Sequence, residues 1–183
     1  MFKSHKLIII IIVAVLVVSA TVATTVALLI AYSGPLENVF TIGNIKISLT
    51  ETTGSTYQLI PGKVIEKDPT VRVEPHSEDC WLFVKVTKSK DFDNYIITEM
   101  ADGWTHLGGF EGVYYRSVYM SGSGDVYSVL KNNSMTVVDS LTEEKMTAIE
   151  EVPSISFKAY AVQSHGIDTA SEAWIEILKE DAG

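Results

Sequence analysis

The stretch "PHSEDCWLF", residues 75–83, brings His76, Glu78, Asp79 and the chain's only cysteine, Cys80, into five consecutive positions. Those residue types suit two chemistries: zinc held by nitrogen, oxygen and sulfur, or a thiolate nucleophile with a base beside it. Spacing argues against both. From Cys80 the pattern alternates, with Cys80, Leu82, Val84 and Val86 on one face and Trp81, Phe83, Lys85 and Thr87 on the other. The cysteine shares the uninterrupted aliphatic face, which is the core face of a strand, and Asp79 points away from it. Ligands two residues apart in a strand stand ~6.6–7 Å apart, so a single zinc needs them to bend inward and to recruit help from elsewhere. Pro75 favours a loop before the strand. The architectural reading of a loop entering a strand is therefore preferred, with a metal site and a catalytic thiol as the sharper alternatives.

The remaining candidates are weaker. His106 and His165 are isolated, and the chain has no H-E-x-x-H, C-x-x-C or G-x-S-x-G. "DFDN" (Asp91, Asp93, Asn94) resembles the start of a calcium loop but lacks the glycine and distant glutamate that such a loop needs. "SGSGDV" lacks the lysine of a phosphate loop and reads as a hairpin turn. "NNS" at Asn132 is a glycosylation triplet of the kind that recurs by chance. The tyrosines of "GVYYRSVY" suit the two faces of a strand, either as cross-strand packing or as an exposed aromatic strip. No residue is assigned as catalytic, cofactor-binding or metal-binding, and no cofactor is expected.

These residues must be positioned by elements whose pattern is mostly period two. In "FTIGNIKISLTE", Ile45, Ile47 and Leu49 alternate with polar residues, while Phe40 and Ile42 sit on the other parity. That switch predicts a β-bulge at Gly43-Asn44. Further strands are expected at 70–74, 80–87, 94–98, 104–107, 113–120, 126–130, 134–138 and 154–162, separated by turn signals such as "LIPGK" and "LGGFEG". Two helices are expected from capping boxes, one at Ser140 with Glu143 and one at Thr169 with Glu172. In the second, Ala170, Ala173, Trp174, Ile177 and Leu178 form an apolar stripe suited to closing one end of the fold. The expected class is all-β: a jelly-roll-like antiparallel β-sandwich with one or two short helices, preceded by an N-terminal hydrophobic signal or anchor helix.

That N-terminal segment sets the compartment. Lys3 and Lys6 precede a run from Leu7 to Ala31 without a single charge. The run reads as a signal peptide with peptidase sites after Ala27 and Ala31, or as an uncleaved membrane anchor, for which about 20 apolar residues suffice. Either way the rest is exported, because positive flanks stay in the cytoplasm. The division is a signal or anchor over 1–31, an extended arm over 32–39 and a β-sandwich domain over 40–183. Losing Lys3 and Lys6 takes the 14 basic residues to 12 against 23 acidic ones, and the net charge from −9 to −11. Such a surface repels phosphate backbones, so nucleic acid is not an expected partner. With one cysteine there is no internal disulfide, and an unpaired thiol outside the cell is safest buried.

In order along the chain, "NVFTIGNIKISLTE", "YQLIPGKVIEKDPTVRVEPHSEDCWLFVKV", "GVYYR" and "ISFKAYAVQSHGIDTASEAW" resemble the TasA/camelysin family of exported bacterial proteins with SipW-type signal peptides. The likeness spans most of 38–174, although Gly34 stands where family leaders often carry an acidic residue. It implies a jelly roll, export to the surface of a Gram-positive bacterium, and extracellular biofilm-matrix fibres in which one subunit's N-terminal segment completes the next subunit's sheet. It also implies a metallopeptidase label for camelysin-type members, for which this sequence supplies no metal motif. The donor stretch would be Leu36, Glu37, Asn38, Val39 and Phe40, since Pro35 cannot donate a ladder bond. The expected partner is then a second copy, joined head to tail, and the membrane if the leader stays uncleaved. The alternatives are a metal-dependent peptidase and a membrane-anchored binding module.

Overall fold

The period-two stretches fold into three sheets in a computed structural model, which describes residues 30–33, 39–120 and 124–181. The large sheet is built on β7 (Cys80–Lys88) and β13 (Ser154–Gln163), antiparallel along almost their full lengths. On the far side of β7 lie β10 (Val113–Val118) and then the short β9 (Thr105–His106). On the far side of β13, β1 (Ile30–Ser33) and β2 (Val39–Ile42) both run parallel to it, and β4 (Thr56–Gln58) pairs with β1. The sheet is thus mixed where a purely antiparallel one is expected. The N-terminal segments run along β13 in its own direction, a relation that no local pattern encodes.

A second sheet holds β3 (Ile47–Thr50), β6 (Thr70–Val73) and β11 (Asp125–Ser128), and a third holds β5 (Val64–Glu66), β8 (Ile96–Met100) and β12 (Leu130–Val137). One core lies between the large sheet and these two. Cys80, Leu82 and Val84 of β7 and Phe157, Ala159 and Ala161 of β13 pack there with Val71, Val73, Ile65, Ile96, Met135 and Val137. The described protein is all-β, with a 3-10 turn (Phe92–Asn94) and two short helices, α1 (Glu143–Thr147) and α2 (Ala170–Asp181).

Three local expectations are corrected. No bulge sits at Gly43-Asn44: β2 belongs to the large sheet and β3 to the second, so the parity flips because the chain changes sheets. Gly43 turns this corner at a φ of 97°, where a side chain would meet Gln163. The first helix is capped by Thr142, whose Oγ1 accepts from the Lys145 amide at 3.3 Å, rather than by Ser140. Leu141, buried in the core, holds the preceding residues in a turn and delays the helix. Finally, α2 covers the outer face of the large sheet rather than an end. Ala170, Ala173, Trp174 and Ile177 form a second core with Phe83, Tyr160 and Val162, while Leu178 remains exposed. The central strands are buried on both faces, which is why "CWLFV" and "AYAV" are apolar throughout. The box at Thr169 forms as expected: the Glu172 amide donates to Thr169 Oγ1 at 3.2 Å, and Glu172 Oε2 accepts from the Thr169 amide at 3.1 Å.

Candidate functional site

Residues Pro75 to Asp79 form a loop that carries the chain from β6 to β7, and its described polar bonds close the turn or tie it to neighbouring segments. Ser77 Oγ donates to the Glu74 carbonyl at 2.8 Å and accepts from the Lys46 amide at 3.1 Å. Asp79 Oδ1 accepts from the Met120 amide at 2.8 Å. His76 is exposed with a φ of 65°, and Glu78 is exposed as well. Cys80 is fully buried, and burial, helped by the charge of Asp79, pushes its thiol up to about 12. At neutral pH it is a protonated apolar side chain rather than a nucleophile. Among the described residues, no three His, Cys, Asp or Glu side chains converge to hold a metal ion. Cys80 should therefore resist a thiol reagent in the native protein and react after denaturation. Cys80→Ser should cost about 1–3 kcal/mol by burying an unsatisfied hydroxyl. Rapid labelling of folded protein would overturn this.

The "DFDN" turn is likewise structural. Phe92 is buried, Asp91 takes a φ of 60°, and Asp93 accepts from Lys88 Nζ at 2.7 Å, so an ammonium stands where a cation would be needed. The tyrosines divide between faces. Tyr115 packs on Trp81 and Phe83, Tyr114 meets His106 edge-on, and Tyr119 is exposed.

Two features remain, and they adjoin each other. The first is the N-terminal edge of the large sheet. β1 pairs with only the start of β13, through Tyr32 with Ser154 and Ser33 with Ile155, and β2 with its end, through Ala159 to Val162. β4 pairs with no strand other than β1 among the described residues, meeting it at Ile30, Ala31 and Tyr32. Remove β1, and β4 loses its ladder while the start of β13 keeps its pairing with β7 but is left with an open edge on the other side. Of the residues singled out in the sequence, Ala31 lies in β1 opposite Tyr57, and Val39 and Phe40 lie in β2 opposite Ala159 and Tyr160. Ala27, Leu36, Glu37 and Asn38 lie outside the described residues, as do residues 1–29 of the leader, whose last two residues, Ile30 and Ala31, belong to β1. Among the described residues, no helix is long and apolar enough to cross a membrane.

The second feature is a polar cluster beneath that edge. Lys67 is fully buried and its Nζ contacts Glu51 Oε1, which is itself 5% exposed. The Nζ lies 5.5 Å from the centre of the Tyr57 ring on β4 and 6.0 Å from that of Phe157 on β13. Glu51 also accepts from Thr53 Oγ1 at 3.2 Å and from the Tyr57 hydroxyl at 3.3 Å. Asp68 accepts from the amides of Thr52 and Thr53, each at 2.9 Å, and from both threonine hydroxyls. Burial acts to raise its pKa, but these bonds outweigh it and hold the carboxyl well below the usual carboxylate range. Burial pushes the Lys67 amine down, opposed by Glu51 and Asp68, and pushes the Tyr57 phenol up to about 12. Sequence reasoning passed over Lys67, although parity marked it: Ile65, Lys67, Val71 and Val73 share one phase and all are buried. No protein-family model, no curated protein and no solved structure matches the chain.

Proposed function

We propose that this is an exported structural protein of the cell surface or extracellular matrix, a jelly-roll type subunit whose copies join head to tail by exchanging the N-terminal strand. The observation that supports this reading is that β1 alone pairs with β4 and alone covers the outer edge of the start of β13 among the described residues. A strand held by main-chain hydrogen bonds to its own chain has the same bonds to offer an identical neighbour. Donation in one direction, from each copy to the acceptor edge of the next, joins unlike surfaces and propagates instead of closing. Cleavage after Ala31 would cut within β1, taking Ile30 and Ala31 and leaving Tyr32 and Ser33 as a new terminus. The edge of β4 and β13 then accepts the arm of the next subunit, with Leu36 to Phe40 as its donor stretch, of which Val39 and Phe40 leave their pairing with Ala159 and Tyr160 of their own β13 when donated. An unpaired edge of this kind is a ready template for another strand.

The test compares two purified chains, one beginning at Tyr32 and one at Phe40. The longer should form polymers that grow with time and concentration, seen by light scattering and electron microscopy. An excess of a peptide spanning residues 30–40 should stop that growth. The shorter should remain folded and monomeric. If the chain beginning at Tyr32 stays monomeric at high concentration, the strand-exchange reading is lost.

A further inference from the structure

We propose that Lys67 and Glu51 are a self-modification site, at which the lysine amine and the glutamate carboxyl condense into an amide cross-link. The two side chains are in contact, and both are shielded from water: Lys67 is 0% exposed and Glu51 5%. The rings of Tyr57 and Phe157 flank the amine. Positioning is tight because Asp68, next to the lysine, is anchored by four hydrogen bonds to Thr52 and Thr53, next to the glutamate. Two groups held in this way react at an effective concentration far above that of free partners.

Condensation needs a neutral amine and a protonated acid. A desolvated ion pair is costly to keep, and passing one proton from ammonium to carboxylate leaves a neutral amine beside a neutral acid. Burial lowers the proton affinity of Lys67, in the direction that transfer needs. The Nζ lone pair then attacks Glu51 Cδ, beside the Tyr57 hydroxyl, which stands 3.3 Å from Oε1 and also contacts the Gly54 carbonyl. The carbon–oxygen bond to the acid hydroxyl breaks, and that hydroxyl leaves with a proton from Nζ as water. One amide forms, one water departs, and nothing is oxidised or reduced.

The product has a structural consequence. Glu51 follows β3 of the second sheet and Lys67 follows β5 of the third, so the amide staples two sheets of the core together. A single free cysteine provides no such staple. Cross-links of this kind restrict the unfolded chain as a disulfide does.

Denatured full chain, purified first in folded form, should be digested with trypsin and mapped by mass spectrometry. Cleavage after Lys67 should fail, and the peptides carrying Glu51 and Lys67 should remain joined, at a combined mass lower by one water. The fragment ions locate the loss and distinguish it from dehydration at an Asp-Gly pair such as Asp102-Gly103. Lys67→Arg should abolish the joined species completely and restore the full mass. If folded wild-type protein yields separate peptides with the full mass and normal cleavage after Lys67, the amide is excluded and the pair is an ordinary buried salt bridge. Because the decisive readout is on the wild type, poor folding of the variant leaves the test intact.

Discussion

Trp174→Ala should lower the stability of the domain by about 3–5 kcal/mol, measured as a fall in the denaturant midpoint with the slope unchanged. Its ring is the plug of the second core. It stands 5.2 Å from the ring of Phe83, 5.0 Å from Tyr160, edge-on, and 6.4 Å from Phe110, centre to centre. Aromatic pairs at these separations contribute beyond the area they bury. The helix that carries it has only Ala170, Ala173 and Ile177 as further fully anchored positions, so no large neighbour can move in to fill the space. The outer face of β7 and β13 would then be left facing water. Leu178→Ala, one residue from Ile177 on the same helix but 43% exposed, should cost less than about 1 kcal/mol and serves as the control. Similar losses for the two variants would mean that α2 does not seal the sheet as described.

That contrast shows which parts of the fold are legible from sequence. Thr169 and Glu172 are three residues apart, and their reciprocal bonds are decided within one helical turn, so the box could be read directly. The face of Cys80 was legible for the same reason, since alternation is a local property. Leu178 was not, because helical spacing shows which residues share a stripe but not where the surface beneath it ends. The partner of each strand was also beyond reach. Gly43-Asn44 looks alike as a bulge and as a corner between sheets, and only the distant partners of β2 and β3 tell them apart. Parallel pairing of β1 and β2 with β13 joins residues more than a hundred positions apart.

The candidate site divides along the same line. Chemistry-bearing residues close in sequence, as in "PHSEDC", drew attention and turned out to shape a loop. The buried pair of Lys67 and Glu51 is separated by 16 positions and two strands. Its one local trace was a lysine in phase with Ile65 and Val71, a phase that in most sequences marks a side chain reaching for the surface.

The glycines of "LGGFEG" test whether the structure ranks residues that look equivalent on paper. Gly108 has an ordinary φ and open space where a Cβ would stand, so Gly108→Ala should be close to neutral. Gly109 also has open space but a φ of 84°, and its alanine variant should cost about 1 kcal/mol from backbone strain alone. Gly112 carries both penalties: a φ of 69°, and the Val86 carbonyl oxygen 2.2 Å from where its Cβ would sit. That contact has no flexible side chain to yield. Val86 lies in β7, and its amide donates to the Gly112 carbonyl at 2.8 Å, so moving Gly112 away breaks the bond that starts the β7–β10 ladder. Val113, the next residue, pairs with Lys85 and is buried in the second core, which resists the same shift. Gly112→Ala should therefore cost about 2–4 kcal/mol, the strain of a left-handed residue compounded by a damaged ladder. Denaturant midpoints of the three variants should fall in the order Gly108, Gly109, Gly112. A Gly112→Ala variant as stable as Gly108→Ala would show that β10 approaches β7 less closely than the structure has it.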